Sequence, residues 1–484
     1  MSTPSPRVRT ITVDTAGPLP EVDLAAADEW RIHVLHGGVP CAHVHLPNPG
    51  TGADPGLLGA AVRSFGESRE RKAAFTREFA RRLGEAPPAP AAHRTCSVIV
   101  CTRRRRAKLG RLLEALARLD PSPDEVIVVD NDPGSEDCRH LVEASGGRYV
   151  REDRHGLNTA RHTGAGTARG ELLAFTDDDC IPPPDWLARL DEHFDDPSVG
   201  AVSGPALAWS LDEEPQRRRE VMASFVHGLD RRIYDWRTLR PVHAGQVGAG
   251  ANMIMRRTSL ERLDEPFPPE LDAGTPTRSG GDLYVLYRLL ASGVRVIYDP
   301  ATFVFHDHRG DSDGPTDTAS SYGTGLASFL TRALICDREP ATFLIWRWLW
   351  LRWVSAGLSA MSRRGDREHL RLRGLYLRGG LKGPLSWHAS RRRHGRSNGP
   401  IAHVAAAGGA PAATTHAGEP PAQGSLSVVV ALDEAPVAGC LEALAAEARQ
   451  GLDLEIVVAG CSDEPVELPD VGVPVRVPAR RGDG

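Results

Sequence analysis

The stretch Phe175–Trp186, FTDDDCIPPPDW, sets three aspartates side by side at the end of an apolar run and follows them with three prolines. Neighbouring carboxylates repel and raise each other's pKa unless a cation lies among them. A solvated acidic turn would need no apolar strand leading into it. A calcium loop would need acids at alternate positions and a glycine at the sixth. Pro182, Pro183 and Pro184 occupy that space instead. The placement favours a hard-oxygen site for Mg²⁺ or Mn²⁺ at a strand end, where such ions keep waters and accept phosphate oxygens, with a solvated acidic turn as the alternative.

Working outward, the chain alternates strand and helix signals. CSVIVCT (96–102) is continuously apolar, as buried parallel strands are, and LGRLLEALARL (109–119) has helical spacing. EVIVVDND (125–132), GRYVRED (147–153) and ELLAFTDDD (171–179) read as further strands, with helices at CRHLVEAS and at NTARHTGAGTA (158–168). This order predicts an α/β domain with a mostly parallel sheet flanked by helices. Such sheets bind ligands at the carboxyl ends of their strands. Asp130 and the run 177–179 end two strands and are candidates for one crevice.

Upstream, RIHVLHGGVPCAHVHLP alternates around a Gly-Gly turn and predicts a β-hairpin, with a helix over 57–83 and a linker at APPAPAA (86–92). The segment between Trp209 and Pro241 is polar and poorly patterned. Downstream, FLIWRWLWLRWV (343–354) carries four tryptophans broken by Arg347 and Arg352, and residues 363–396 hold eleven Lys/Arg against two acids. Tryptophan and arginine on an amphipathic stretch suit the surface of an anionic bilayer, a peripheral membrane contact. A helix packed on the catalytic domain or in a dimer interface fits the same residues. In the tail, SVVVAL (427–432) repeats SVIVCT (97–102), and EIVVAGCSDE (455–464) repeats EVIVVDNDPG (125–134), both at an offset of 330 positions. Gly460 stands where the first copy has Asp130.

Composition narrows the classes. The 484 residues carry a formal charge of −5, which argues against a general nucleic-acid binder. The basic run Arg103–Arg106 lacks interleaved aromatics and reads as diphosphate attraction or a solvated face. TGAGTARG (163–170) fails the dinucleotide fingerprint and precedes a strand instead of following one. Eight scattered cysteines without paired spacing fit reduced thiols and a cytoplasmic location. Cys96 and Cys101 should face opposite sides of one strand. MSTPSPRVRT lacks the apolar core of a signal peptide, and no run is long and apolar enough to span a bilayer.

From about Cys96 to Arg309 the chain resembles a family 2 glycosyltransferase with a GT-A fold. SVIVCTRRR, VVDNDPGSED, HGLNTARHTGAGTARGELLAFTDDDC, VGAGANMIMRR, GTPTRSGGDLYVLYRLL and YDPATFVFHDHR stand in family order. The resemblance implies an inverting, metal-dependent transfer from a nucleotide-sugar donor to an acceptor hydroxyl, with Mn²⁺ or Mg²⁺. It places the family's DxD motif on Asp177–Asp179, with Asp179 as direct metal ligand and Asp177 or Asp178 on ribose or metal-bound water. It places Thr102 and Asp130 at the nucleobase, Arg161 at the diphosphate, Asn252 near the donor sugar, and His306 (His308 second) at the metal or diphosphate. Asp282 becomes the general base. The glutamate that precedes it in the family is Gly281 here, which leaves the acceptor pocket open to question. Asp282 also suits a helix N-cap, and the histidines also suit a strand end at the surface.

The expected organisation is an N-terminal hairpin and helix unit (1–90), a GT-A domain (94–335), a helical Trp/Arg-rich segment (336–396), a linker (397–424) and a partial degenerate repeat (425–484). Two rivals remain. A nucleotidyltransferase would need a glycine-rich, lysine-bearing signature after the first strand, and CTRRRRAKLG has little glycine. A decayed glycan- or lipid-binding module is kept open by Gly281.

Overall fold

The structure, a computed structural model, describes residues 7–47, 55–82, 93–131, 137–222, 225–307, 315–340, 367–395 and 397–401, with three strands of the tail. The tryptophan-rich run, the linker 86–92, most of 397–424 and His308 lie outside the described residues. The chain divides into two compact units, Met1–Ala406 and Ala407–Gly484.

The first unit opens with β1 (Val8–Asp14), β2 (Glu29–His36) and β3 (Val39–Pro47). The expected hairpin is β2–β3, and its turn residues Gly37 and Gly38 both have positive φ (56° and 77°), which glycine adopts without strain. The sequence reading lacked β1, which pairs parallel to β2. After α1 (Pro55–Arg82) come β4 (Cys96–Thr102), α2 (Arg106–Leu116), β5 (Glu125–Asp130), α3 (Asp137–Ala144), β6 (Arg148–Arg151), α4 (Leu157–Thr167) and β7 (Leu172–Asp177). Then follow β8 (Cys180–Ile181), α5 (Leu190–Phe194), β9 (Val199–Ser203), β10 (Ala206–Ala208), α6 (Glu214–Met222), β11 (Arg232–Tyr234) and β12 (Asn252–Arg256). The unit finishes with α7 (Arg257–Glu261), α8 (Gly281–Ala291), β13 (Arg295–Tyr298), β14 (Val304–His306), α9 (Pro315–Ile335) and α10 (Arg367–His394).

Eight strands form the central sheet in the order β11-β13-β9-β12-β7-β4-β5-β6. The run β7-β4-β5-β6 is parallel throughout, and β12 enters antiparallel beside β7. The apolar runs are continuous because both sheet faces are covered. Ile99, Ile127, Val129, Leu173 and Phe175 point into one core, and Val98, Val100, Val128, Leu172 and Ala174 point into the other. Cys96 and Cys101 fall on opposite faces accordingly. The result is a mixed α/β fold whose parallel half ends at Thr102, Asp130 and Asp177, along one edge.

A three-stranded ribbon, β10-β14-β8, hangs over that edge. The N-terminal unit docks behind it. His33 Nε2 lies 3.0 Å from the carbonyl of Ala208, and Leu211 N donates to Thr10 Oγ1 at 2.7 Å. The basic helix α10 packs lengthwise on α9 through small residues. Thr324 Oγ1 donates to Gly379 O (3.1 Å) and Ser328 Oγ to Gly383 O (2.9 Å). A side chain at Gly323 would meet Tyr376 O at 1.9 Å, and one at Gly383 would meet Ala327 Cβ at 2.3 Å. In the tail unit, β15 (Leu426–Leu432), β16 (Leu454–Gly460) and β17 (Val475–Arg476) form a sheet. Ser427 pairs with Glu455 just as Ser97 pairs with Glu125.

Replacing Gly323 with leucine must part α9 from α10. Overpacking of this kind costs about 1–3 kcal/mol. Urea unfolding of Gly323→Leu is expected to show that loss, and an unchanged midpoint would refute the close helix contact.

Candidate functional site

The acidic run leaves β7 at Asp177 and turns directly into β8. β8 pairs with β14 so that Cys180 faces His306, and Asp307 N donates to Asp179 O at 2.8 Å. That short ladder sets the His306 imidazole against the Asp179 carboxylate, Nε2 to Oδ1 3.3 Å. Each aspartate has its own compensation. Asp178 is buried, accepts the Thr102 hydroxyl at 2.8 Å and meets Arg105 at 2.6 Å. Asp179 meets Arg105 at 3.2 Å and lies 3.9 Å from Lys108 Nζ. Asp177, partly open to solvent, lies 3.7 Å from Arg161.

The electrostatics follow from these neighbours. Burial raises the pKa of Asp178 against the pull of Arg105, and desolvation raises that of Asp177 against Arg161. Asp179 goes the other way: His306, Arg105 and Lys108 outweigh its desolvation and hold it below the usual carboxylate range. His306 is raised, because Asp179 overcomes the burial that would lower it.

Arg161, on α4, is buried and bridges two elements. Its Nη1 donates to Asp272 at 2.6 Å while Nη2 faces Asp177. Asp282 stands on the far side of Gly250. A side chain at Gly250 would lie 2.4 Å from Arg161 Nη2 and 3.2 Å from Asp282 Cβ. Asp282 accepts Gly250 N at 2.9 Å and Leu283 N at 2.8 Å, so its plane is fixed while each oxygen keeps a second lone pair. The base candidate and the acidic run therefore share one crevice.

Asp130 sits two strands away, fully buried, with Tyr149 donating to it at 3.2 Å and burial raising its pKa. Thr102 pairs with Asp130 across the sheet and turns its hydroxyl to Asp178. Asn252 is committed internally. Its amide accepts Trp186 Nε1 at 3.0 Å and donates to Thr302 O at 2.6 Å, beneath the acidic run.

Three residues escaped the sequence reading. Arg105 belongs to a run read as diphosphate attraction or a solvated face, with no single member picked out, and it clamps two aspartates. Asp272 sits at φ 85° in a Gly/Pro-rich loop, buried against Arg161. A side chain at Gly281 would lie 2.4 Å from Asp272 Oδ2, so the carboxylate beside that position comes from Asp272. Tyr322, from α9, packs edge-to-face on Phe225, whose ring also meets His306, and burial first and then Asp282 raise its pKa. A positive φ outside glycine is a structural signal only, with no sequence cue.

The donor set suits a divalent cation. The ligand atoms of Asp179, Cys180 and His306 lie within 4.8 Å of one another. A carboxylate with an imidazole favours Mn²⁺ over the all-oxygen preference of Mg²⁺.

Residues 97–264 match the family model described as glycosyl transferase family 2. A pre-mycofactocin glycosyltransferase of Mycobacterium tuberculosis is 30% identical over 226 residues, 46% of this chain and 45% of that protein. A succinoglycan biosynthesis protein of Rhizobium meliloti is 29% identical over 219 residues, 42% of this chain and 64% of that protein. The chain thus spans about half the length of the curated relatives it matches. A mannosyltransferase from Pyrobaculum calidifontis, solved with GDP-Man and Mn²⁺, superposes over 64% of this chain and 94% of its own at 20% identity, with a TM-score of 0.42.

Removing the guanidinium in Arg105→Met leaves Asp178 and Asp179 short of a cation, at a cost of about 1–3 kcal/mol. The melting temperature is expected to fall, and millimolar Mn²⁺ to raise it more in the variant than in wild type. A Mn²⁺ response absent from both proteins would refute the cation site.

Proposed function

We propose that this protein, a member of glycosyl transferase family 2 through its residues 97–264, moves a sugar from a nucleoside diphosphate donor to an acceptor hydroxyl with inversion. One observation carries the reading. Arg161 ties the acidic run to Asp272 and stands beside Asp282, so a donor diphosphate at the run and a proton acceptor meet in a single crevice.

The roles follow from position. Asp130 and Thr102, at the ends of adjacent parallel strands, take the nucleobase and ribose side of the donor. Asp179 and His306, with Asp177, would hold the divalent ion, which when bound would supply positive charge against the departing diphosphate. Arg105 and Lys108 lie at the same edge and add to that charge. Arg161 keeps Asp177 and Asp272 apart from one another and orients both. Asp282 takes the proton of the attacking hydroxyl as the hydroxyl oxygen reaches the anomeric carbon, and the diphosphate leaves from the opposite face. Asp272, seated where a residue-281 side chain would be, offers a carboxylate to the acceptor. The nucleotidyltransferase and decayed-module readings lack such an observation.

The acceptor side also bears on location. No helix among the described residues is long and apolar enough to cross a membrane. On α10, Leu381 and Leu385 are 70% and 75% exposed, one helical turn apart, beside exposed Arg378 and Lys382. No acid occurs from His369 to Gly395. This face fits an anionic bilayer surface, with the leucines entering the headgroups.

Two measurements test these readings. In a thermal-shift panel of UDP, GDP, dTDP and CDP, one nucleotide is expected to stabilise the chain with Mn²⁺, less so with EDTA, and not in Asp179→Ala. Asp282→Asn is expected to keep that shift and lose transfer by a factor of about 10²–10⁴ in kcat. Transfer near the wild-type rate would remove Asp282 as base, and no nucleotide shift at all would remove the transferase reading. Separately, Leu381→Ser/Leu385→Ser should weaken sedimentation with anionic vesicles, and equal retention would exclude this face.

A further inference from the structure

A second cavity lies on the other side of the β10-β14-β8 ribbon, between the ribbon and the N-terminal sheet. It encloses about 470 Å³, within the ~300–1,000 Å³ range of small-ligand pockets. Successive residues of a strand point to opposite faces. On β14, His306 faces Asp179 and the crevice, while Phe305 lines this cavity. Trp209 follows the wholly buried β10 and is hydrogen-bonded through its backbone to His306 O at 2.9 Å, yet its indole is 47% exposed. The indole packs edge-to-face on Phe305, ring centroids 5.4 Å apart. Its N–H has no acceptor among the described residues.

Polar groups converge on the same space. The Asp185 carboxylate lines it, and among the described residues it has neither a hydrogen-bond nor an ion-pair partner. The hairpin turn makes room for it: a side chain at Gly38 would lie 2.9 Å from Asp185 Oδ2. Thr12, on β1, stands opposite. An exposed indole, an unpaired carboxylate and a hydroxyl around a half-open cavity match the two aspects of a pyranose. Its C–H face lies on an aromatic ring, and its hydroxyls donate to the carboxylate and the indole N–H stays available for a ring or hydroxyl oxygen. Among the described residues the cavity is lined by no guanidinium or ammonium, so they offer a phosphate or nucleotide no counter-charge there.

We infer that this cavity, built from Trp209, Phe305 and Asp185 with the N-terminal sheet as its outer wall, is a carbohydrate subsite. It holds a sugar residue of a glycan chain away from the reacting end. The inference rests on the transferase reading only for the origin of that glycan as acceptor. It gives the N-terminal unit a task, because β1, Leu35 and Gly38 supply five of the eleven described lining residues.

The test uses the full chain and a panel of neutral hexasaccharides: malto-, cello-, manno-, xylo- and N-acetylchitohexaose. Binding is read by tryptophan fluorescence and by calorimetry, with no nucleotide present. Saturable binding of one member is expected, weakened by about tenfold or more in Trp209→Ala and in Asp185→Asn, and partly retained in Trp209→Phe. Asp179→Ala should bind the same sugar as wild type. Binding of none of the panel overturns the subsite, as does binding that Trp209→Ala and Asp185→Asn leave unchanged in folded protein. The nucleotide and Mn²⁺ thermal shift is read on the same samples. A shift without sugar binding overturns the subsite alone, whereas sugar binding without the shift overturns the transferase reading and leaves the subsite standing.

Discussion

The three consecutive aspartates are the constraint around which the first unit is arranged. Two unit charges about 4 Å apart interact by about 4 kcal/mol at the effective dielectric of a protein edge. Three carboxylates at such spacing, two of them buried, would be intolerable without nearby cations. The fold brings those cations from separate elements. Arg105 comes from the loop entering α2, Arg161 from the buried face of α4, and His306 from β14. Each pairing also locks its element to the strand edge. The requirement of charge compensation thus fixes where the first helix starts, how deep α4 lies and why a separate ribbon covers the edge. The same arrangement leaves the balance incomplete at Asp177, the carboxylate most open to solvent, which is where an added cation has most to offer.

Much of this was legible in the sequence, and the reasons are physical. Strands buried on both faces must be apolar at every position, so β4, β5 and β7 announced themselves, and their acidic ends announced the edge. The parallel strand β1 was not legible, because the apolar alternation of VRTITVD is broken and its parallel pairing with β2 leaves no tight hairpin turn to mark it. Arg105 was hidden by its own neighbours. Four consecutive arginines look alike, and only the backbone turn at positive-φ Arg104 decides which one enters the site. Asn252 shows the opposite case. Its motif drew attention to the donor sugar, whereas its amide is spent on Trp186 and Thr302, which hold the proline turn and the ribbon against β12.

Position 281 shows how a motif can change without the site losing its charge. A glutamate there would collide with Asn158 and Asp272, since even a Cβ would lie 2.2 Å from Asn158 Oδ1. Asp272 reaches the same space from a loop that must take a left-handed backbone to do so. That conformation costs roughly 1–2 kcal/mol in a residue with a side chain. The Arg161 ion pair, the Thr277 hydroxyl accepting Asp272 N–H at 3.0 Å and the bond from Ala273 N at 2.8 Å hold it there. A carboxylate therefore stands beside position 281 although position 281 itself supplies none, which a reading of the linear motif has no means to see.

The tail unit separates pairing from chemistry more sharply. β15 and β16 adopt the parallel register of β4 and β5, residue for residue at the offset of 330. Register depends on the apolar positions and on chain direction, and both are preserved in LSVVVAL and LEIVVAG. The end residues are not preserved. Where Thr102 faces Asp130 in the first unit, Leu432 faces Gly460 in the second, and neither can hold a nucleobase, a hydroxyl or a cation. A strand pair can therefore form on its apolar pattern without ligand residues at its edge. It follows that the presence of such a sheet says little about activity in this chain. What sets the first unit apart is its edge residues and the cations that hold them in place.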